Sequence, residues 1–170
     1  PDLGSAPDRP GPLTLIAVPA QAEWLQGEQA IMGTRCVVEL WSTDRSRGQA
    51  AIDAVFTEFR RIDALMSTYK PESELSRVNA TAATAAVRVS RELYDLLATS
   101  IEYSKLTGGA FDVTYASVGY LYDYRARVHP DAEAIAAALP GIDYRHIELD
   151  PETHSVRFRQ PGVRIDLGGI

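Results

Sequence analysis

YRHIELDPETHSVRFRQPGVRIDLGG, residues 144–169, alternates short extended segments with the turn-forming pairs Asp150-Pro151 and Pro161-Gly162. That rhythm predicts a three-stranded antiparallel meander. Just upstream, HPDAEAIAAAL (129–139) carries an N-cap pattern and predicts a short helix ended by Pro140-Gly141. VRVS (87–90) reads as a brief strand running into an N-cap serine. The following RELYDLLATSIEYSKLT places Leu93, Tyr94, Leu97 and Ile101 at helical spacing, with Gly108 as the left-handed stop. Further back, Ile52, Val55, Phe56, Phe59, Ile62, Leu65 and Met66 recur every three or four residues, which predicts a long amphipathic helix over 47–66. Pro71 pushes Lys70 out of helical geometry, and Ser73 or Glu74 can open a short helical turn through Asn79. LTLIAVP (13–19) and EQAIMGTRCVVELW (28–41) read as extended. In the second, Thr34, Cys36, Val38 and Leu40 share one face, Arg35, Val37, Glu39 and Trp41 share the other, and Met32-Gly33 forms the bend. Strands and helices interleave without a regular βαβ rhythm, so the expected class is α+β, an antiparallel sheet with packed helices.

The 170 residues (18.6 kDa) suffice for one well-formed core, expected over 13–170 after a flexible, proline-rich leader, residues 1–12. Seventeen Lys and Arg against 23 Asp and Glu give a net charge of −6, and no basic cluster is dense enough to neutralise a run of phosphates. Nucleic acid is therefore excluded as an expected partner. The longest run free of charge and strong polarity, Leu13–Ala20, is under half of what a membrane-spanning helix needs. The single cysteine, Cys36, reads as a small core residue on a strand. The chain opens on Pro1, which fits removal of an export or lipoprotein signal, or simple trimming; it stops at a double glycine, where domains rarely finish.

Three stretches could carry chemistry. LTGGAFDVTYASVGYLYDYR (106–125) combines two adjacent glycines, the acid Asp112 soon after them and five aromatic side chains. Gly108 suffices as a helix stop, so Gly109 suggests bare backbone where a ligand or another strand comes close. After it, Phe111 and Val113 are expected on one face of an extended segment, Asp112 and Thr114 on the other. A plain helix-to-strand corner and a ligand site both satisfy this pattern. MSTYKPESELSRVN (66–79) is either an ordinary turn or a rigid mount for Tyr69, whose ring could stack on a flat heterocycle. RIDLGGI (164–170) is either a β-turn or a carboxylate followed by exposed carbonyls able to meet a hard cation. His129, His146 and His154 lack metal-ligand spacing, and neither a G-x-S-x-G, a phosphate-binding lysine loop nor a G-x-G-x-x-G occurs.

Taken in order, IMGT (31–34), MSTYKPESELSRVN, GGAFDVT (108–114) and IDLGGI (165–170) resemble the ApbE family, the FAD:protein FMN transferases. The similarity runs over roughly 28–170 and covers the N-terminal half to two-thirds of a typical member, whose pattern continues from LGGI into Ala-Lys-Gly-Tyr. The resemblance implies an enzyme, usually exported in bacteria, that joins the FMN half of FAD through its phosphate to a threonine or serine of a target protein. AMP leaves, and Mg²⁺ is required. The implied partners are membrane-associated electron-transfer proteins, and the implied location is periplasmic, with a possible lipid anchor. Carried over by position, Met32, Tyr69, Ala110, Phe111, Asp112 and Asp166 are the cofactor-binding candidates, and Gly169 offers a main-chain oxygen to the metal. The remaining ligands and the base have no counterpart in these 170 residues. Where many members continue AFDVT with a proline-leucine segment, this chain has YASVGYLYDYR (115–125). Its Tyr120, Tyr122 and Tyr124 receive no carried-over role. An Mg²⁺-dependent FAD pyrophosphatase and a non-catalytic flavin carrier are the rivals, and an exported α+β interaction domain is the plainest alternative.

Overall fold

The alternation in EQAIMGTRCVVELW builds a hairpin, β1 (Glu23–Ile31) against β2 (Thr34–Ser42), in register from Glu23 opposite Ser42 to Ile31 opposite Thr34. Met32 and Gly33 close it with φ of 55° and 71°, the two left-handed residues whose twist matches that of the strands. The structure is a computed structural model that describes residues 22–123 and 126–170. The leader, LTLIAVP and Tyr124 lie outside the described residues.

One face of the hairpin packs on α1 (Arg45–Met66), started by Asp44, whose side chain accepts the Arg47 N–H at 3.0 Å. Leu25 and Ile31 from the hairpin meet Ile52 and Phe56 from the helix, with Cys36, Val38, Leu40 and Phe59 half-buried around them. Of the two faces of β2, the one carrying Cys36, Val38 and Leu40 is thus the packed one. Trp24 and Trp41, directly paired across the strands, stay on the solvent face.

The larger core lies beyond α1. Ser73 caps α2 (Glu74–Thr81) and Ser90 caps α3 (Arg91–Leu106), each hydroxyl accepting an N–H from the first turn. Leu75 and Val78 of α2 and Leu93 and Leu97 of α3 are fully buried against Val156, Phe158 and Ile165. Full burial of such a side chain contributes about 1.5–3 kcal/mol. The sheet here runs β3 (Val87–Arg88), β5 (Ser155–Phe158), β4 (Ile147–Asp150), both pairs antiparallel. Between α3 and β4 lie α4 (Ala116–Gly119) and α5 (Ala132–Ala138). The α+β class holds.

Three local expectations change. The third strand of the sheet is β3, not the segment around 163–167. That segment spends its backbone groups on side chains: Asn79 pairs with both the N–H and C=O of Ile165 (2.7 and 2.8 Å), and the Arg164 N–H goes to Ser117 Oγ at 3.0 Å. The extended segment expected over 111–114 does not form either. Asp112 accepts the Thr114 N–H at 2.8 Å and winds Val113–Tyr115 into a 3-10 turn, with Val113 and Thr114 both buried. Finally, Gly109 takes part in the helix end. Gly108 and Gly109 have φ of 62° and 86°; their N–H groups reach Lys105 O and Ser104 O at 3.1 and 2.8 Å. This is a Schellman motif: Gly108 is its left-handed residue, and the N–H groups of both glycines satisfy helix carbonyls.

Candidate functional site

The turn after α1 and the segments 115–123 and 164–166 enclose a cleft of about 630 Å³, within the range of small-ligand sites. Thr68 and Tyr69 form one wall, Tyr115, Tyr120 and Tyr122 the other, with Asn79, Arg164 and Asp166 between them. Tyr69 is 90% exposed. A ring so placed gives little to the core and offers its face to a ligand.

Asp166 ties the walls together. Its backbone N–H donates to Val113 O at 3.1 Å, which seats it beside the 3-10 turn. Its Oδ1 accepts from the Tyr115 hydroxyl (2.9 Å) and the Gly168 N–H (2.7 Å), while Oδ2 accepts from Thr68 Oγ1 at 3.3 Å. One carboxylate therefore links the turn carrying Tyr69, the aromatic wall and the double-glycine turn. Behind it, the buried Ser117 donates to Gly141 O at 3.0 Å while receiving the Arg164 N–H, fixing the backbone from which Arg164 projects. The Arg164 guanidinium lies 4.1 Å from the centroid of the Tyr120 ring.

Of the residues singled out from the sequence, Tyr69 and Asp166 meet in this cleft. Asp112 does not line it. Its Oδ1 takes both the N–H and the hydroxyl of Thr114, and its Oδ2 takes the Tyr144 N–H at 2.7 Å, so its carboxylate ties the 3-10 turn to the loop before β4. Neighbouring Asp143 is held below the usual carboxylate range, chiefly by the Arg145 side chain. Ala110 is exposed at the glycine corner, and Phe111 packs half-buried on the larger core. Gly169 is exposed; a methyl on it would lie 3.8 Å from the Phe111 ring. Met32 sits at the hairpin turn and is not among the cleft residues. Sequence reasoning gave no role to Thr68, Asn79, Tyr115, Tyr120, Tyr122 or Arg164. The density of tyrosines over 115–124 was the available clue.

These residues do not by themselves fit a divalent cation. Among the described residues, no three His, Cys, Asp or Glu side chains gather as a metal site. The Asp166 oxygens are engaged by protein donors, and Gly169 supplies at most a carbonyl. Among the same residues, no helix is long and apolar enough to cross a membrane.

The fold defines a class: an α+β scaffold shared with solved ApbE structures. The ApbE protein of Thermotoga maritima superposes with a TM-score of 0.77 at 27% identity, over 87% of this chain and 48% of its own. The flavin transferase ApbE of Vibrio cholerae shares the fold, with a TM-score of 0.71 at 24% identity over 86% of this chain and 48% of its own. The ApbE family model matches residues 32–170, and the chain belongs to the ApbE family. Among curated relatives, the FAD:protein FMN transferase of Treponema pallidum is 32% identical over 151 residues, 84% of this chain and 41% of the relative. That of Klebsiella pneumoniae is 30% identical over 142 residues, 82% of this chain and 44% of the relative. The chain thus spans under half the length of these two relatives.

Proposed function

We propose that the protein to which this chain belongs moves FMN from FAD onto a threonine or serine hydroxyl of a target protein and releases AMP. The observation that carries the reading is a tyrosine-walled cleft, braced by Asp166, in a chain of the ApbE family whose curated relatives are FAD:protein FMN transferases. In the reaction, the acceptor oxygen attacks the phosphorus on the FMN side of the pyrophosphate. A new P–O bond forms, the bond to the AMP phosphate breaks, AMP leaves with the electron pair, and the acceptor proton passes to a base or to water. Such transfers ask the protein mainly for positioning and for offsetting charge.

Tyr69 stacks on the isoalloxazine, and Asp166 keeps that ring at a fixed distance from the opposite wall through Thr68 and Tyr115. A strong nucleophile is not required here, because the attacking hydroxyl belongs to the partner. Mg²⁺ is part of the proposal as an electrostatic partner of the pyrophosphate. Among the described residues, the Gly169 main-chain oxygen is what this chain would offer it. Exported, membrane-associated electron-transfer proteins are the proposed acceptors and the periplasm the proposed compartment. The test incubates the full-length protein with FAD, Mg²⁺ and a candidate acceptor. Flavin fluorescence that stays on the acceptor after denaturation, with AMP released in equal amount, is expected. Free FMN with AMP would instead establish a pyrophosphatase.

A further inference from the structure

Resting on that reading of the cleft, the geometry points to Arg164 as the group that recognises a phosphate of the flavin nucleotide, with Tyr120 as its platform. Three observations carry this. Arg164 is the one Lys or Arg among the described residues lining the cleft, in a chain of net charge −6. Its guanidinium rests 4.1 Å from the Tyr120 ring centroid. It forms no ion pair with a carboxylate among the described residues, although many of the chain's other arginines do.

A guanidinium on a ring face stays charged and partly ordered, while its in-plane N–H groups remain available to an anion. Its backbone is anchored from below by the Arg164 N–H bond to buried Ser117, so the side chain starts from a fixed point. A phosphate is the anion that suits it, because the planar fork matches two phosphate oxygens at once. The arrangement also gives Tyr120 a task, in the stretch where this chain departs from the family's proline-leucine pattern. Tyr69 on one wall and Arg164 beside the other would then divide the ligand between them: ring on the first, phosphate on the second.

The test titrates the full-length protein with riboflavin, FMN and FAD at fixed Mg²⁺ and ionic strength, following flavin fluorescence. Arg164→Ala should weaken FAD, with or without FMN, by roughly tenfold or more while riboflavin changes by less than about twofold. Arg164→Lys should recover part of the loss, and Tyr120→Leu should fall between wild type and Arg164→Ala. Arg164 is exposed, so its replacement leaves the fold intact, which a thermal melt checks. Equal losses for all three flavins, or none for any, would overturn the assignment. Failure of the wild-type protein to bind any flavin would instead remove the proposed function itself, and this inference with it.

Discussion

Asp166 and Asp112 are both acids in motif-bearing stretches, yet their surroundings give them different work. Asp166 joins two cleft walls through Thr68 and Tyr115. Asp166→Ala should therefore loosen the Tyr69 turn and weaken flavin binding, and a titration against Asp166→Asn, which keeps one acceptor, should show the partial rescue. Asp112 is occupied by Thr114 and the Tyr144 N–H. Removing its carboxylate leaves those donors without a partner in a part-buried setting. Asp112→Ala should cost about 1–3 kcal/mol of stability in a denaturant melt. Tyr69→Ala makes the opposite prediction. With the ring exposed, stability should hold while flavin affinity falls by roughly five- to tenfold, about 1 kcal/mol of stacking. Unchanged affinity with lowered stability would reverse that assignment.

At the scale of elements, the long helix, the serine caps and the hairpin turn were all legible from spacing and local chemistry. The turn at 111–114 and the glycine pair closing α3 are local, Asp112 and the helix's own carbonyls making them, whereas the change at 163–167 has a distant cause. The 163–167 segment has a strand's sequence, but Asn79 and Ser117 supply its hydrogen bonds from distant elements, which no local pattern announces. The same limit hid Tyr115, Tyr120 and Arg164, which come together only once residues far apart in the chain share a cleft. At the α3 end the correction is testable. Gly109→Ala forces a Cβ onto a φ of 86° although the space around it is open, so it should cost about 1 kcal/mol through backbone strain alone. Gly27 fails differently: a Cβ there would come within 2.5 Å of Ile52 and 2.8 Å of Phe56, wedging the hairpin off α1. Between α1 and α3, Arg61 grips Glu58 and Glu92, and its hydrogen bonds hold both carboxyls below their ordinary values. Because these groups have lower folded than unfolded pKa values, their contribution is full above the unfolded value of about 4.3 and fades as pH falls through the folded ones. Denaturation of Glu92→Gln should thus differ from wild type at neutral pH and converge with it in acid.

Among the described residues, apolar burial gathers in two clusters, one under the hairpin and a larger one between α2, α3 and β5, and the cleft is left to tyrosines and polar side chains. That division lets aromatic area face a ligand without being consumed by the core. A flavin in this cleft would be seen outright in a crystal structure of the full-length protein with FAD. The isoalloxazine is expected against Tyr69, with a phosphate within hydrogen-bond reach of Arg164. A flavin bound elsewhere, with Tyr69 and Arg164 both out of contact, would contradict that expectation.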